Sequence, residues 1–542
     1  MKRLVVIFFF LISISGLSQE KITDKPKLVI GIVVDQMRYD YLTRFWDQFG
    51  EDGFKKLVNE GFVFKNNHYN YIPTYTGPGH ASIFTGTTPA SHGIIGNNWY
   101  NKFEEKEVYC VNDDSVNPVG TKDSAGKMSP ARMKSTTFGD QNRLHNQMRS
   151  KTIGVALKDR GAILPAGHTA NAAYWFHGDD EAKWISSSFY MDELPDWVED
   201  FNRSGKAKSY LKNWNSLKEI SSYSESGKDD NTFERGFIGK DQATFPYDLK
   251  KLADKNGDYD IIKSTAFGND LTVDFAKAAI KGEDLGKDEY TDILTLSFSS
   301  TDYVGHNFGV NSKEVEDTYL RLDRNLAEFI SFLDENIGKD EYTLFLTADH
   351  GGINVPAYLS SRKIPAGYFN VIKAEQHLNE FLKNEFNTDG LVENISNNQI
   401  FLDYELIAAK DLKFEEIQKA VASHMLNQKN VDRVFTRAQM ENGSFSKGIA
   451  GLTQNGFNQK RSGDVIFLLD PAYIIYPRKG STHGSGFSYD THTPLLFYGK
   501  GIKAGSTSQR TVIPDIAPTI STLLGISFPN ATSGEPLNMA FE

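Results

Sequence analysis

Apolar runs recur along this chain, and each stops at, or lies close to, a side chain of metal-ligand type. The run from 27 to 34 (Lys-Leu-Val-Ile-Gly-Ile-Val-Val) is nearly continuous and rich in β-branched residues, the pattern of a strand buried on both faces, and it ends at Asp35. Segments 290–298 and 342–347 repeat the design and lead into Asp302 and Asp349, while 494–498 is a fourth such run soon after His483. Between the second and third runs, Val315, Tyr319, Leu322, Leu326, Ile330 and Leu333 recur at spacings of three and four. That spacing predicts an amphipathic helix, stopped by Asn336, Ile337 and Gly338. Segments 269–280 and 514–524 read as further covering helices. Strand, helix, strand is a βαβ unit, so the pattern predicts an α/β fold with a central, mostly parallel sheet, helices on both faces, and ligands beyond the strand C-termini.

Two stretches, about 101–260 and 357–465, break this rhythm and read as inserted cap segments decorating the sheet. Candidate ligands nonetheless run from Asp35 to His483, so one site draws on both ends of the chain. Residues 20–542 are therefore expected to form a single domain with insertions. The first 19 residues have another character. Lys2 and Arg3 precede an apolar run from Leu4 to Ile14, and Gly16, Ser18 and Gln19 follow. This is the order of a secretory signal peptide, too short and wrongly flanked for a membrane span, and it predicts a secreted or periplasmic protein.

Those 19 residues hold two basic and no acidic side chains, so their removal takes the formal charge from −11 to −13. Such a chain lacks the basic surface that nucleic acids and anionic membranes require, and neither is expected as a partner. The only cysteine is Cys110, which excludes an internal disulfide, a thiolate zinc site and an iron–sulfur cluster.

The chemistry gathers in Val33-Val34-Asp35, in Ser300-Thr301-Asp302-Tyr303-Val304-Gly305-His306, in Thr347-Ala348-Asp349-His350-Gly351-Gly352 and in Ser481-Thr482-His483-Gly484. Three Asp and three His suit two zinc ions of mixed nitrogen and oxygen coordination better than one. Singly, each has a plainer reading. Asp35 or Asp302 reads equally well as a helix cap, Asp349-His350-Gly as a turn, and His306 or His483 as a loop histidine. The conjunction favours metal, since all four segments adjoin predicted strands. Thr76, before Gly77-Pro78-Gly79-His80, supplies a nucleophilic hydroxyl at the start of a helix, where the dipole and free N–H groups favour an anionic oxygen; by itself it is also an ordinary cap. His68, His80, His92, His168 and His492 are structural or supporting candidates.

Asp35, Thr76-Gly77-Pro78-Gly79-His80, Ser-x-x-Asp-x-x-Gly-His at 299–306, Thr-Ala-Asp-His-Gly at 347–351 and Thr-His-Gly at 482–484 together resemble the two-zinc enzymes of the alkaline phosphatase superfamily. Within it the chain looks most like the secreted, monomeric PafA-type alkaline phosphatases that use threonine. The resemblance implies an alkaline-phosphatase-like catalytic domain acting on small phosphate monoesters through a phosphothreonine. It places one zinc on Asp302, His306 and His483 and the other on Asp35, Asp349 and His350, with Thr76 reaching the second. It also assigns phosphoryl-oxygen contacts to Asn97, Lys158 and Arg160, which by sequence alone are ordinary. The sulfatase branch requires a convertible Cys or Ser and an Arg that this motif lacks. Diesterases of the superfamily share the threonine and both metal sets and are the principal alternative; a non-catalytic exported zinc- or phosphate-binding protein is a second, and it has no need of a nucleophile or a cationic clamp.

Overall fold

The computed structural model describes residues 25–541, so the expected signal segment lies outside the described residues. A ten-stranded sheet forms the centre. Its strands include β1 (Leu28–Val34), β2 (Thr152–Ala156), β3 (Ala172–His177), β4 (Lys183–Ser187), β5 (Asp292–Phe298) and β6 (Tyr342–Thr347). A separate four-stranded sheet is made of β7 (Val392–Ser396), β8 (Gln399–Leu402), β9 (Val431–Thr436) and β10 (Val465–Leu469). The chain then returns to the centre with β11 (Leu495–Gly499). The helices that bear on the site or the core are α1 (Thr76–Thr85), α2 (Asp159–Ala166), α3 (Phe267–Gly282), α4 (Ser300–Phe308), α5 (Lys313–Leu333), α6 (Gly448–Gly456) and α7 (Ile516–Leu524).

Register explains why ligands distant in sequence meet. β1 lies between β5 and β6 and is parallel to both, with Val34 opposite Phe298 and Val33 opposite Thr347. β2 is parallel to β5, with Ala156 opposite Ser297. Four strands thus end at one edge, and the chain beyond them delivers Asp35, Lys158, Asp302 and Asp349 to a common crevice, where open α/β sheets place their ligands.

Both faces of the sheet are covered, which is why β1 shows no alternation in sequence: all seven of its residues are buried. Leu28, Ile30, Ile32 and Val34 face Leu322 and Leu326 of α5 in one cluster, while Val29 and Val33 join Ile83 and Phe84 of α1 and Ile516 and Ile520 of α7 in another. Each such aliphatic side chain contributes roughly 1.5–3 kcal/mol on burial.

Some boundaries differ from expectation. The predicted helix continues past Leu333 as a π-helical segment, Asp334–Gly338. The fourth apolar run forms β11, antiparallel to β6 rather than parallel. Residues 101–260, expected only to decorate the sheet, also build it, since β2, β3 and β4 belong to the central sheet. The short run Thr-Ile-Gly-Val-Ala sits inside a polar stretch, where windowed composition hides it. Segment 357–465 carries β7, β8 and β9 and leads into β10.

Candidate active site

Thr76 opens α1, a helix buried along its whole length. Tyr75 enters it in extended conformation, and Pro78 is tolerated because an N–H donor in the first turn has no intrahelical acceptor, so its absence forfeits no bond. Gly79 is required by contact: a Cβ there would lie 2.3 Å from the Asp349 carbonyl oxygen. The first turn of α1 is thereby packed against the chain just past β6. Asn97 caps the same helix end, its Oδ1 accepting from the Gly77 N–H at 2.7 Å, and its amide nitrogen is left to donate elsewhere.

Asp302 and His306 are i and i+4 on α4, on one face of the helix, and the His306 Nε2 stands 3.1 Å from Asp302 Oδ1. His483 Nε2 is 3.7 Å from the same oxygen. His350 Nε2 lies 3.5 Å from Asp35 Oδ1 and 3.4 Å from Asp349 Oδ2. Ligand atoms of Asp35, Asp349 and His350 fall within 4.8 Å of one another, as do those of Asp302, His350 and His483. His350 therefore stands in both groups, stacked on His483 at 3.4 Å between ring centroids, and His306 sits at the outer side of Asp302.

Each of the three histidines gives its Nδ1 to a backbone carbonyl: His306 to Ser481 at 2.7 Å, His350 to Gly351 at 2.8 Å and His483 to Thr74 at 2.8 Å. With Nδ1–H engaged, the proton is fixed there and Nε2 presents a lone pair, the arrangement that orients a metal-binding imidazole. Burial holds His350 and, more strongly, His483 below the usual imidazole range, which keeps both neutral and able to ligate.

The carboxylates are arranged to receive a cation. Burial, aided by the nearby charges of Asp349 and Asp302, pushes Asp35 well above the ordinary range. Although burial opposes it, Asp302 is held well below that range by His306 and Lys158, and Asp349 is likewise lowered by His350 and His80. Asp35 Oδ1, Asp349 Oδ2 and His350 Nε2 are buried with no hydrogen-bond partner, three orphans converging on one point. An unmade buried hydrogen bond costs about 1–3 kcal/mol, so three in one cluster call for a cation. Lys158 Nζ, 2.7 Å from Asp35 and 2.5 Å from Asp302, stands in for positive charge between the groups. Oxygen and imidazole donors without thiolate fit a zinc-type centre.

Lys158 follows β2 and precedes α2; despite burial, Asp302 and Asp35 raise its ammonium above the usual lysine range. Arg160 Nη1 donates to the Tyr109 hydroxyl at 2.9 Å, while its Nε is buried without a partner. Thr76, Asn97, Lys158, Arg160 and the six ligand residues thus all lie beyond one edge of the sheet, in the loops and helices that follow its strands. Of the remaining histidines, His80 is adjacent, its ring 3.4 Å from Asp349 and 2.9 Å from both the Thr76 carbonyl and Ser297. His92 pairs with Ser82, His168 with Asp140, and His68 stacks on His492, all away from the ligand cluster.

Sequence reasoning missed Gln36. Its backbone is left-handed, with φ 63°, and its buried amide donates to Asp302 at 2.5 Å while its N–H donates to Asp349 at 3.1 Å. One residue therefore orients a carboxylate of each ligand group, and Gly305 makes room for it, since a Cβ there would lie 1.9 Å from Gln36 Oε1. Its place directly after Asp35 was the available signal. Gln36→Ala is expected to weaken metal binding by about 10–100-fold, the usual scale for partners that orient ligands. Chelator competition measures this; an unchanged affinity would leave Gln36 a space-filler.

Residues 29–494 match the family described as type I phosphodiesterase / nucleotide pyrophosphatase. A protein of Myroides odoratus named calcium-transporting ATPase is 46% identical over 98% of this chain and 97% of its own length. Alkaline phosphatase PafA of Elizabethkingia meningoseptica is 44% identical over 96% of each chain. The crystal structure of wild-type alkaline phosphatase PafA superposes with a TM-score of 0.92 at 43% identity, covering 96% of this chain and 99% of that one.

Proposed function

The chain belongs to the type I phosphodiesterase / nucleotide pyrophosphatase family of the alkaline phosphatase superfamily, and we propose that within it the chain is a zinc-dependent phosphate-monoester hydrolase working through Thr76. The observation that carries this reading is the convergence, beside the buried N-terminus of α1, of six ligand side chains with Lys158, Arg160 and Asn97. Two zinc ions, one on Asp302, His306 and His483 and one on Asp35, Asp349 and His350 with Thr76, would supply the positive charge that phosphoryl oxygens and a leaving oxygen require.

The chain's own residues do the rest. Thr76 Oγ1 attacks phosphorus from the helix end, forming a phosphothreonine as the ester P–O bond breaks and the alcohol departs; water then releases phosphate. The Asn97 amide is positioned by its bond to Gly77 to donate to a phosphoryl oxygen. Lys158 brings a point charge, and Arg160, anchored by Tyr109, brings a planar pair of donors suited to two oxygens at once. Mature protein outside the cytoplasm, acting as a monomer, completes the proposal. Among the described residues no helix is long and apolar enough to cross a membrane.

The second reading, a diesterase, is favoured by the description of the matched family. Incubation with a chromogenic phosphate monoester and the corresponding diester separates the two. The monoester is expected to be turned over faster by at least about 10²-fold, chelation to abolish turnover, and added zinc to restore it. Faster diester turnover would overturn the proposal.

A further inference from the structure

Beside the ligand cluster lies a cavity of about 120 Å³ that shares His483 with it. Tyr75 and His483 line it together with Ile72, Ile449, Ile475 and Phe487, and Asn397, Thr453, Ser485 and Asp490 give it a polar side. Tyr75 meets the His483 ring edge to face at 5.7 Å, so the cavity begins one residue before Thr76 and directly beside the Asp302, His306, His483 corner. Gly486 keeps it tight: a Cβ there would lie 2.6 Å from Ile72 and 2.7 Å from Ile449. Ile475, 38% exposed for a large aliphatic side chain, marks its opening to solvent. The turn between β7 and β8 reaches over it, and Asn397 Nδ2 donates to the Asn98 carbonyl at 2.6 Å, next to Asn97. The four-stranded sheet is thus tied to the loop that caps α1.

In-line attack by Thr76 expels the leaving oxygen on the side away from the attacking hydroxyl; with Thr76 assigned to the Asp35, Asp349, His350 group, that side is taken to be the Asp302, His306, His483 corner. The organic group attached to that oxygen emerges next to His483. We propose that this cavity seats the organic group of the monoester, and that the group it takes is a single aromatic ring or an apolar group of that size. The proposal rests on the monoesterase reading. The volume sets the size, since it approaches the roughly 150 Å³ that holds a benzene ring, and Ile72, Ile449 and Phe487 supply the apolar side for it. Tyr75 supports the class, because an aromatic wall favours an edge-on or offset ring.

Benzyl phosphate and ethyl phosphate, both esters of primary alcohols, test this on the zinc-loaded enzyme with little difference in leaving-group chemistry. Benzyl phosphate is expected to be preferred in kcat/KM by about 10-fold or more, as burial of one ring allows. Ile449→Trp fills the cavity and is expected to lower benzyl relative to ethyl turnover by about 10-fold, erasing the preference. Ile449→Ala enlarges it and is expected to shift the preference toward naphthylmethyl phosphate, which keeps the test informative if the tryptophan variant misfolds. Equal kcat/KM for benzyl and ethyl phosphate in the unmodified enzyme, or equal losses on both in the variants, would overturn the cavity assignment. No turnover of either ester would instead overturn the monoesterase reading.

Discussion

Thr76→Ala is expected to lower kcat/KM for phosphate monoesters by on the order of 10⁴-fold or more, the scale seen when a covalent nucleophile is deleted. The substitution removes only Oγ1 and a methyl group. The contacts that place this end of α1 use backbone: the Gly77 N–H bonded to Asn97, the Thr76 carbonyl bonded to His80, and the Asp349 carbonyl close against Gly79. The fold should therefore survive; zinc content, which Asp35, Asp349 and His350 still hold, is measured alongside, and with it retained lost rate reads as lost chemistry. Thr76→Ser keeps the oxygen but frees its rotamer, and its activity is expected to stay within about 10-fold of the parent. Acid quench during steady turnover should trap phosphate on residue 76 in the parent and none in the alanine variant. Label on any other residue would refute the assignment.

How much of this was legible before the fold was known depends on how local each signal is. Strands β1, β5 and β6 announce themselves because burial on both faces forces near-continuous apolar sequence, and α5 does so through its spacing. Asp35, Asp302 and Asp349 could be read because they follow such strands. β2 escaped because five small or β-branched residues in a polar stretch carry little periodicity, and with it went the physical reason for Lys158 and Arg160, which follow it into α2. Those two, like Asn97, entered only by family resemblance; what marks them is tertiary, an ammonium against two carboxylates and an arginine Nε buried without a partner. Gln36 is of the same kind. Its amide meets Asp302, 266 positions away, through a left-handed backbone that no local propensity for glutamine predicts.

Lys158→Ala with Arg160→Ala is expected to separate monoester from diester turnover. A monoester carries about two negative charges and three unsubstituted oxygens, a diester about one charge and two such oxygens. Lys158, Arg160 and Asn97 add donors for the oxygens that the metal-ligand corner does not face, and a diester's second organic group must displace part of that set, leaving cationic donors unpaired. An unpaired buried charge costs about 3–5 kcal/mol, or roughly 10²–10⁴-fold in rate. Lys158 is the more buried of the pair and lies over the Tyr303 ring at 5.0 Å, so its desolvated ammonium has the larger share to lose. Removing both side chains should therefore lower monoester kcat/KM by about 10²-fold or more while changing diester kcat/KM by less than about 10-fold. Because Lys158 also contacts Asp35 and Asp302, zinc content must be measured alongside; with zinc retained, a selective monoester loss assigns the pair to substrate. Equal losses on both esters would reduce Lys158 and Arg160 to supports of the fold and put the diesterase reading ahead.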